Sequence, residues 1–255
     1  MDDSSPTPGP GPTLVLLHGL GATAAVWNRF ISAARWRGPV VAPDLRGHGS
    51  AAWTNNYSFA AMASDVAAEL DGPYVVLGHS LGGVVGLELA SGRHGPAPVG
   101  TATIGVKIRW SDEELARLPG LAERPSRRFD DEAEATDWFL KLAGLFGVVD
   151  SSDPLAPTGV VNESHPEGDW RAAQDPATVL VGAPDLASLL SEAKTSVSMA
   201  LGDADPLVSP DHHNDIVGPT PHVFAGVGHN AMVEDPEPVA RWFVQLDFVK
   251  AALAG

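Results

Sequence analysis

A serine at the centre of Gly78-His79-Ser80-Leu81-Gly82 has the setting that a nucleophile needs. A hydroxyl attacks poorly at neutral pH, so it must be lifted clear of its neighbours and given a base. The glycines meet the first need: side chains at 78 and 82 would collide in a turn sharp enough to expose the Ser80 Oγ. An apolar run, Tyr74-Val75-Val76-Leu77, precedes the turn, and Leu81 to about Ala90 is apolar nearly all round. This reads as a strand, a turn and a buried helix whose free N–H groups and positive dipole end face the serine. A short motif by itself arises often by chance; its strand–turn–helix setting is what makes it informative.

Nine histidines compete to be the base. His229 stands out because it follows the last strand-like segment by a short Gly-containing loop. His79 adjoins Ser80, and neighbouring side chains in a tight turn diverge. His94, His165, His212, His213 and His222 read as loop or surface residues. A base of this kind also needs a carboxylate to hold its tautomer. Asp203 and Asp205 follow another strand, and either could serve. The remaining one reads as a turn-stabilising side chain.

The elements that must carry these groups alternate. Thr13–Leu17 is an apolar run of strand length, Val40-Val41-Ala42 is a short strand, and Tyr74–Leu77 is the third. Val99–Ile104, Val197–Leu201 and His222–Ala225 complete a set of six. Helices are predicted after Ser58, with Phe59, Met62, Val66 and Leu70 on one stripe, at Leu81–Ala90 and near Leu186–Ala193. A last helix from Asp235-Pro236 is expected to bury Val239, Trp242, Phe243, Leu246 and Val249. Strands alternating with helices imply a doubly wound, mostly parallel α/β sheet. Residues 106–184 break the rhythm: they hold a capping-box start at Ser111-Asp112-Glu113-Glu114, an amphipathic segment over Glu132–Phe146, and Pro/Gly/Asp-rich loops. Residues 1–12 read as a flexible lead-in.

Composition narrows the function classes. With 32 acidic and 16 basic residues the net charge is −16, which repels phosphate backbones and anionic lipid. No nucleic-acid or membrane partner is expected. The absence of cysteine removes disulfides, thiolate metal sites and a Cys nucleophile. No metal and no cofactor is expected. Met1-Asp2-Asp3-Ser4-Ser5-Pro6 has neither a basic nor an apolar leader, and no apolar run approaches membrane-spanning length, so a cytoplasmic monomer or homodimer acting on a small molecule is expected.

Five segments together closely resemble the α/β-hydrolase superfamily. They are Leu16-Leu17-His18-Gly19-Leu20-Gly21, Pro43 to Ser50, Gly78-His79-Ser80-Leu81-Gly82-Gly83, Gly202-Asp203-Ala204-Asp205-Pro206-Leu207-Val208, and Gly228-His229-Asn230. The resemblance runs from near residue 13 to the end and leaves only the middle segment unmatched. It implies a Ser80–Asp205–His229 triad, Asp205 being preferred because the family places its acid three residues after the glycine. It implies oxyanion N–H donors at Leu20 and Leu81, and structural loop roles for His18, His48 and Asp44. It implies a core of residues 1–105 and 185–255, with 106–184 as a cap inserted after the fourth strand. Family members commonly begin with two further antiparallel strands, for which the residues before Thr13 leave no room, so a sheet of about six strands is expected.

The chemistry implied is acyl transfer to Ser80 from a carboxylic ester or lactone of small to medium, fairly apolar character. Ser at the elbow disfavours dehalogenase and epoxide-hydrolase chemistry, which uses Asp. C–C bond hydrolysis, hydroxynitrile-lyase-like chemistry, cofactor-free haloperoxidase or oxygenase chemistry, and ligand sensing on the same scaffold remain compatible with the triad. Trp110, Trp138, Phe139 and Phe146 in the cap are the candidate substrate-binding residues. The basic run Arg124–Arg128 reads as a solvated face.

Overall fold

The computed structural model describes residues 11–163 and 169–254. Most of the lead-in, together with His165, lies outside the described residues.

Six strands form one sheet in the order β2-β1-β3-β4-β7-β8, and every pairing in it is parallel. They are β1 (Thr13–Leu17), β2 (Val40–Val41), β3 (Tyr74–His79), β4 (Gly100–Ile104), β7 (Ser196–Gly202) and β8 (His222–Phe224). Between β4 and β7 the chain adds a small antiparallel pair, β5 (Val160–Asn162) and β6 (Trp170–Ala172). The alternation of side chains along a strand sorts the core. Leu14, Leu16, Val75 and Leu77 face one side, while Val15, Leu17, Tyr74 and Val76 face the other. Both faces are covered, which is why these strands are continuous apolar runs and not polar–apolar alternations.

On the first face α1 (Asn28–Ala34) and α8 (Pro236–Gln245) meet through Phe30 and Phe243, edge-on with centroids 5.8 Å apart. Trp27 adds a second edge contact to Phe30 at 5.6 Å. Each of these buried rings removes enough apolar surface to contribute roughly 1.5–3 kcal/mol. On the other face α2 (Phe59–Ala68) packs Met62 and Val66 against Val85 and Leu89 of α3 (Leu81–Ala90). Ser58 caps α2 by accepting the Ala61 N–H, and Ser111 with Glu114 closes the full capping box of α4 (Asp112–Ala122).

Several elements differ from expectation. The 3-10 turn Ala24–Trp27 and α1 occupy a stretch to which no element is assigned from sequence, although Trp27, Phe30 and Ala34 have helical spacing. The segment expected to be helical to Phe146 stops as α5 (Glu132–Leu142), because Gly144 takes φ +68° and turns the chain out of the helix. The last helix is two: α8 ends where Leu246 turns extended at ψ 135°, and α9 (Asp247–Ala254) starts anew with Phe248 and Val249 buried. Trp242 is only half-buried, against Phe224 and His222. The middle segment shares the sheet's core: Phe129, Phe139 and Leu145 belong to the same cluster as Leu16 and Leu77.

Since β1 leads to β2 on one side and β3 lies on the other, the strand order reverses between β1 and β3. Ligands bind at such a reversal, outside the carboxyl ends of the strands. Ser80 follows β3, Leu20 follows β1, Asp205 follows β7 and His229 follows β8.

Candidate active site

Ser80 is one of two non-glycine residues at positive φ among those described, at φ 49° and ψ −114°. Such a conformation costs about 1–3 kcal/mol and persists only where neighbours enforce it. Three contacts do so. The Ser80 N–H donates to the Ile104 carbonyl of the adjacent strand at 2.9 Å, and the Ser80 carbonyl accepts from Gly83 and Val84 as α3 begins. A Cβ on Gly78 would lie 2.2 Å from the Gly82 carbonyl oxygen, and one on Gly82 would lie 2.2 Å from that of Leu17. The two glycines are therefore required by backbone approach, between the ends of the turn at Gly78 and against β1 at Gly82.

His229 Nδ1–H donates to Asp205 Oδ2 at 2.8 Å. A carboxylate only accepts, so this bond places the proton on Nδ1 and leaves the Nε2 lone pair bare. The Asp205 side chain is fully buried. Its other oxygen accepts from the backbone N–H groups of Leu207 at 2.8 Å and Val208 at 3.2 Å, so the carboxylate cannot rotate away. Asp203 is engaged elsewhere: its Oδ1 accepts the Gly226 N–H at 2.7 Å and ties the segment after β7 to the turn after β8.

Three residues with no such role assigned from sequence, Glu234, His79 and Asn230, hold the His229 loop. Glu234 accepts the N–H groups on both sides of His229, from Gly228 at 2.6 Å and Asn230 at 3.0 Å. His79 donates Nε2–H to the His229 carbonyl at 3.0 Å, and the two rings lie 4.6 Å apart. The fold sets the His79 ring edge-on to that of His229. Burial pushes His79 well below the ordinary histidine range, and the neighbouring His229 acts in the same sense, so His79 is neutral. Asn230 Nδ2 donates to the Gly144 carbonyl at 3.0 Å, joining the loop to the segment after α5. Gly105, at φ +64°, leaves room for the pair; a Cβ there would be 3.2 Å from the His229 ring.

The loops below are fixed by neutral histidines too. His18 donates Nδ1–H to the Gly19 carbonyl and accepts the Leu45 N–H on Nε2, which ties the loop after β1 to the loop after β2. Burial lowers its pKa, and burial drives that of His48 down to about 3. Burial alone would raise the Asp44 pKa, yet the N–H groups of Ala24 and Ser50 outweigh it and hold the carboxyl below its usual range.

Ser80 and His229 line one cavity of about 380 Å³, together with Leu20, Leu81, Phe59 and Trp110. As the first residue of α3, Leu81 has an N–H with no acceptor inside the helix. Of the four cap aromatics expected to contact substrate, only Trp110 lines this cavity. Phe139 is 1% exposed, packed against Gly159 inside the core, since the inner face of α5 must cover the sheet. Trp138 lines a second cavity beside Leu142 and Gln174. Phe146 is 56% exposed, past the end of α5, with the Lys141 ammonium over its ring. Arg128 pairs with Glu163 and Asp169, while Arg127 lies over the rings of Phe129 and Trp138. Among the described residues no three His, Asp or Glu side chains gather as a metal-holding group, and no helix is long and apolar enough to cross a membrane.

A family model described as the alpha/beta hydrolase family matches residues 14–242. The protein phosphatase methylesterase 1 of Bos taurus is 32% identical over 142 residues, which is 51% of this chain and 37% of that protein. The chain therefore spans little more than a third of that relative's length. The magnesium-chelatase 30 kDa subunit of Rhodobacter capsulatus is 32% identical over 192 residues, covering 69% of this chain and 66% of that protein. Among solved structures, an esterase of M. tuberculosis superposes with a TM-score of 0.74 at 21% identity, covering 92% of this chain and 85% of that one. At that identity the likeness is one of fold.

Proposed function

The chain belongs to the alpha/beta hydrolase family, and from that premise we propose that it is a serine esterase that forms an acyl-enzyme on Ser80. One observation carries this reading: the strained Ser80 and the Asp205-bound His229 open into the same cavity. His229 Nε2 takes the hydroxyl proton as Oγ bonds to the ester carbonyl carbon. The tetrahedral oxyanion is held by the Leu20 and Leu81 N–H groups, whose fixed dipoles lower the barrier by a few kcal/mol (roughly 3 for one donor). His229 then returns the proton to the leaving alkoxide as the C–O bond breaks. Water, deprotonated by the same His229, releases the acid and regenerates Ser80.

Residues 106–184 act in this scheme as a cap that walls the cavity from above the sheet; Trp110, Leu142, Ala143, Val181 and Pro184 are its apolar contributions. Carboxylic esters of small molecules fit the cavity volume, and the methylesterase relative supports the same bond class. The test is covalent labelling with a fluorophosphonate probe. Wild-type protein should label at Ser80 and hydrolyse short nitrophenyl esters, and Ser80→Ala should do neither. Folded wild-type protein that takes no label would overturn the esterase in favour of a ligand-binding role for the same scaffold.

A further inference from the structure

Acidic side chains outnumber basic ones two to one in this chain, 32 against 16, yet the charges lining the Ser80 cavity are both cationic. Lys107 and Lys141 line it, and among the described residues no Asp or Glu does. The two lysines differ in their partners. Lys107 follows β4, and its ammonium is paired with Glu114. That carboxylate, held well below its usual range by the Lys107 ammonium and the Ser111 N–H, also closes the α4 capping box. Lys107 is thus neutralised in place, tied to the first turn of α4.

Lys141 has no carboxylate within ion-pair distance among the described residues. Its ammonium sits 4.6 Å from the centroid of the exposed Phe146 ring. Its position in the last turn of α5 complements the helix dipole, but a lysine on the outer face of that turn would do the same. The helix-dipole role therefore does not account for its place on the cavity rim. A lysine stem laid along an apolar wall keeps its charge at the water boundary and can swing toward an incoming anion.

We propose that the substrate of this site carries a carboxylate remote from the scissile carbonyl, and that Lys141 at the rim binds it. The proposal rests on the esterase reading and narrows it: the ester end meets Ser80 in the apolar interior, and the anionic end stays at the wet mouth. Such a substrate crosses an acidic surface only if the entrance reverses the sign of the charge, which Lys141 does.

The experiment compares kcat/KM for mono-nitrophenyl glutarate and for nitrophenyl pentanoate, which have acyl chains of equal carbon count. A carboxyphenyl pentanoate places the anion on the leaving group instead. In wild-type protein at low salt at least one anionic ester should be favoured over the neutral one. Lys141→Met should lower that ratio about 5- to 20-fold, mainly through KM, as expected for loss of a charge-assisted contact. Lys141→Arg should restore it, and Lys250→Met, far along α9, should leave it as in wild type. An anionic-to-neutral ratio that Lys141→Met leaves unchanged for both anionic esters overturns the proposal while the esterase stands. Failure of all three esters, with Ser80 unlabelled, overturns the esterase itself and the proposal with it.

Discussion

His79, the residue before the candidate nucleophile, donates Nε2–H to the backbone carbonyl of His229, the candidate base, at 3.0 Å. The turn that exposes Ser80 is thereby bonded to the loop that carries His229, and neither can shift alone. Removing this bond with His79→Ala should lower kcat about 10- to 100-fold with KM nearly unchanged, because sub-ångström misplacement of a base is enough for such a loss. A thermal shift with kcat intact would mean that His79 serves stability alone.

Asp205 and Asp203 are separated by what their oxygens accept. Asp205→Asn would offer His229 an N–H or an amide oxygen and lose control of the tautomer, so kcat should fall by on the order of 10⁴-fold. Asp203→Asn keeps an oxygen for the Gly226 N–H, and activity should stay within about threefold of wild type. Steady-state kinetics on the two variants decides between them, and the reverse pattern would move the acid to Asp203.

Glycine positions differ in what a methyl group would meet. A Cβ on Gly82 strikes the Leu17 and His18 carbonyls at 2.2 and 2.6 Å, so Gly82→Ala should lose more than about 3 kcal/mol or fail to fold. Gly120, in α4, has nothing within 4 Å of its built Cβ, and Gly120→Ala should gain about 0.5–1 kcal/mol. Denaturant midpoints for the pair measure both signs.

Stability should fall as pH drops below neutrality, before carboxylates titrate. His18, His48 and His79 have folded pKa values below the ordinary 6.5, so the unfolded chain binds their protons first. Their contribution is fully present above pH 6.5 and is lost progressively as pH falls, for His48 down to about 3. Each histidine adds a slope of up to about 1.4 kcal/mol per pH unit. Urea unfolding between pH 7.5 and 5 should show the decline, and a flat profile would contradict buried neutral histidines.

The end of the fold that carries the candidate site was legible because its requirements are local. A strand, a turn too tight for side chains and a helix can be read from Tyr74 to Ala90, and the parallel sheet follows from six apolar runs separated by helices. The order of Ser80, Asp205 and His229 along the chain followed from resemblance. The lining of the cavity was not legible, because it depends on which face of α5 turns inward. In α5, Phe139 faces the core, Trp138 a second cavity and Lys141 the rim, although all three lie within two turns of one another.

Sequence by itself determined the elbow at Ser80 and the sheet, since backbone sterics and apolar periodicity act between near neighbours; the candidate triad came only with the resemblance to the family. Only the tertiary structure decided what holds His229, through His79, Glu234 and Asn230, and what charge the cavity presents. Those relations join residues as much as 150 positions apart, as for His79 and His229, and depend on packing that no local pattern encodes.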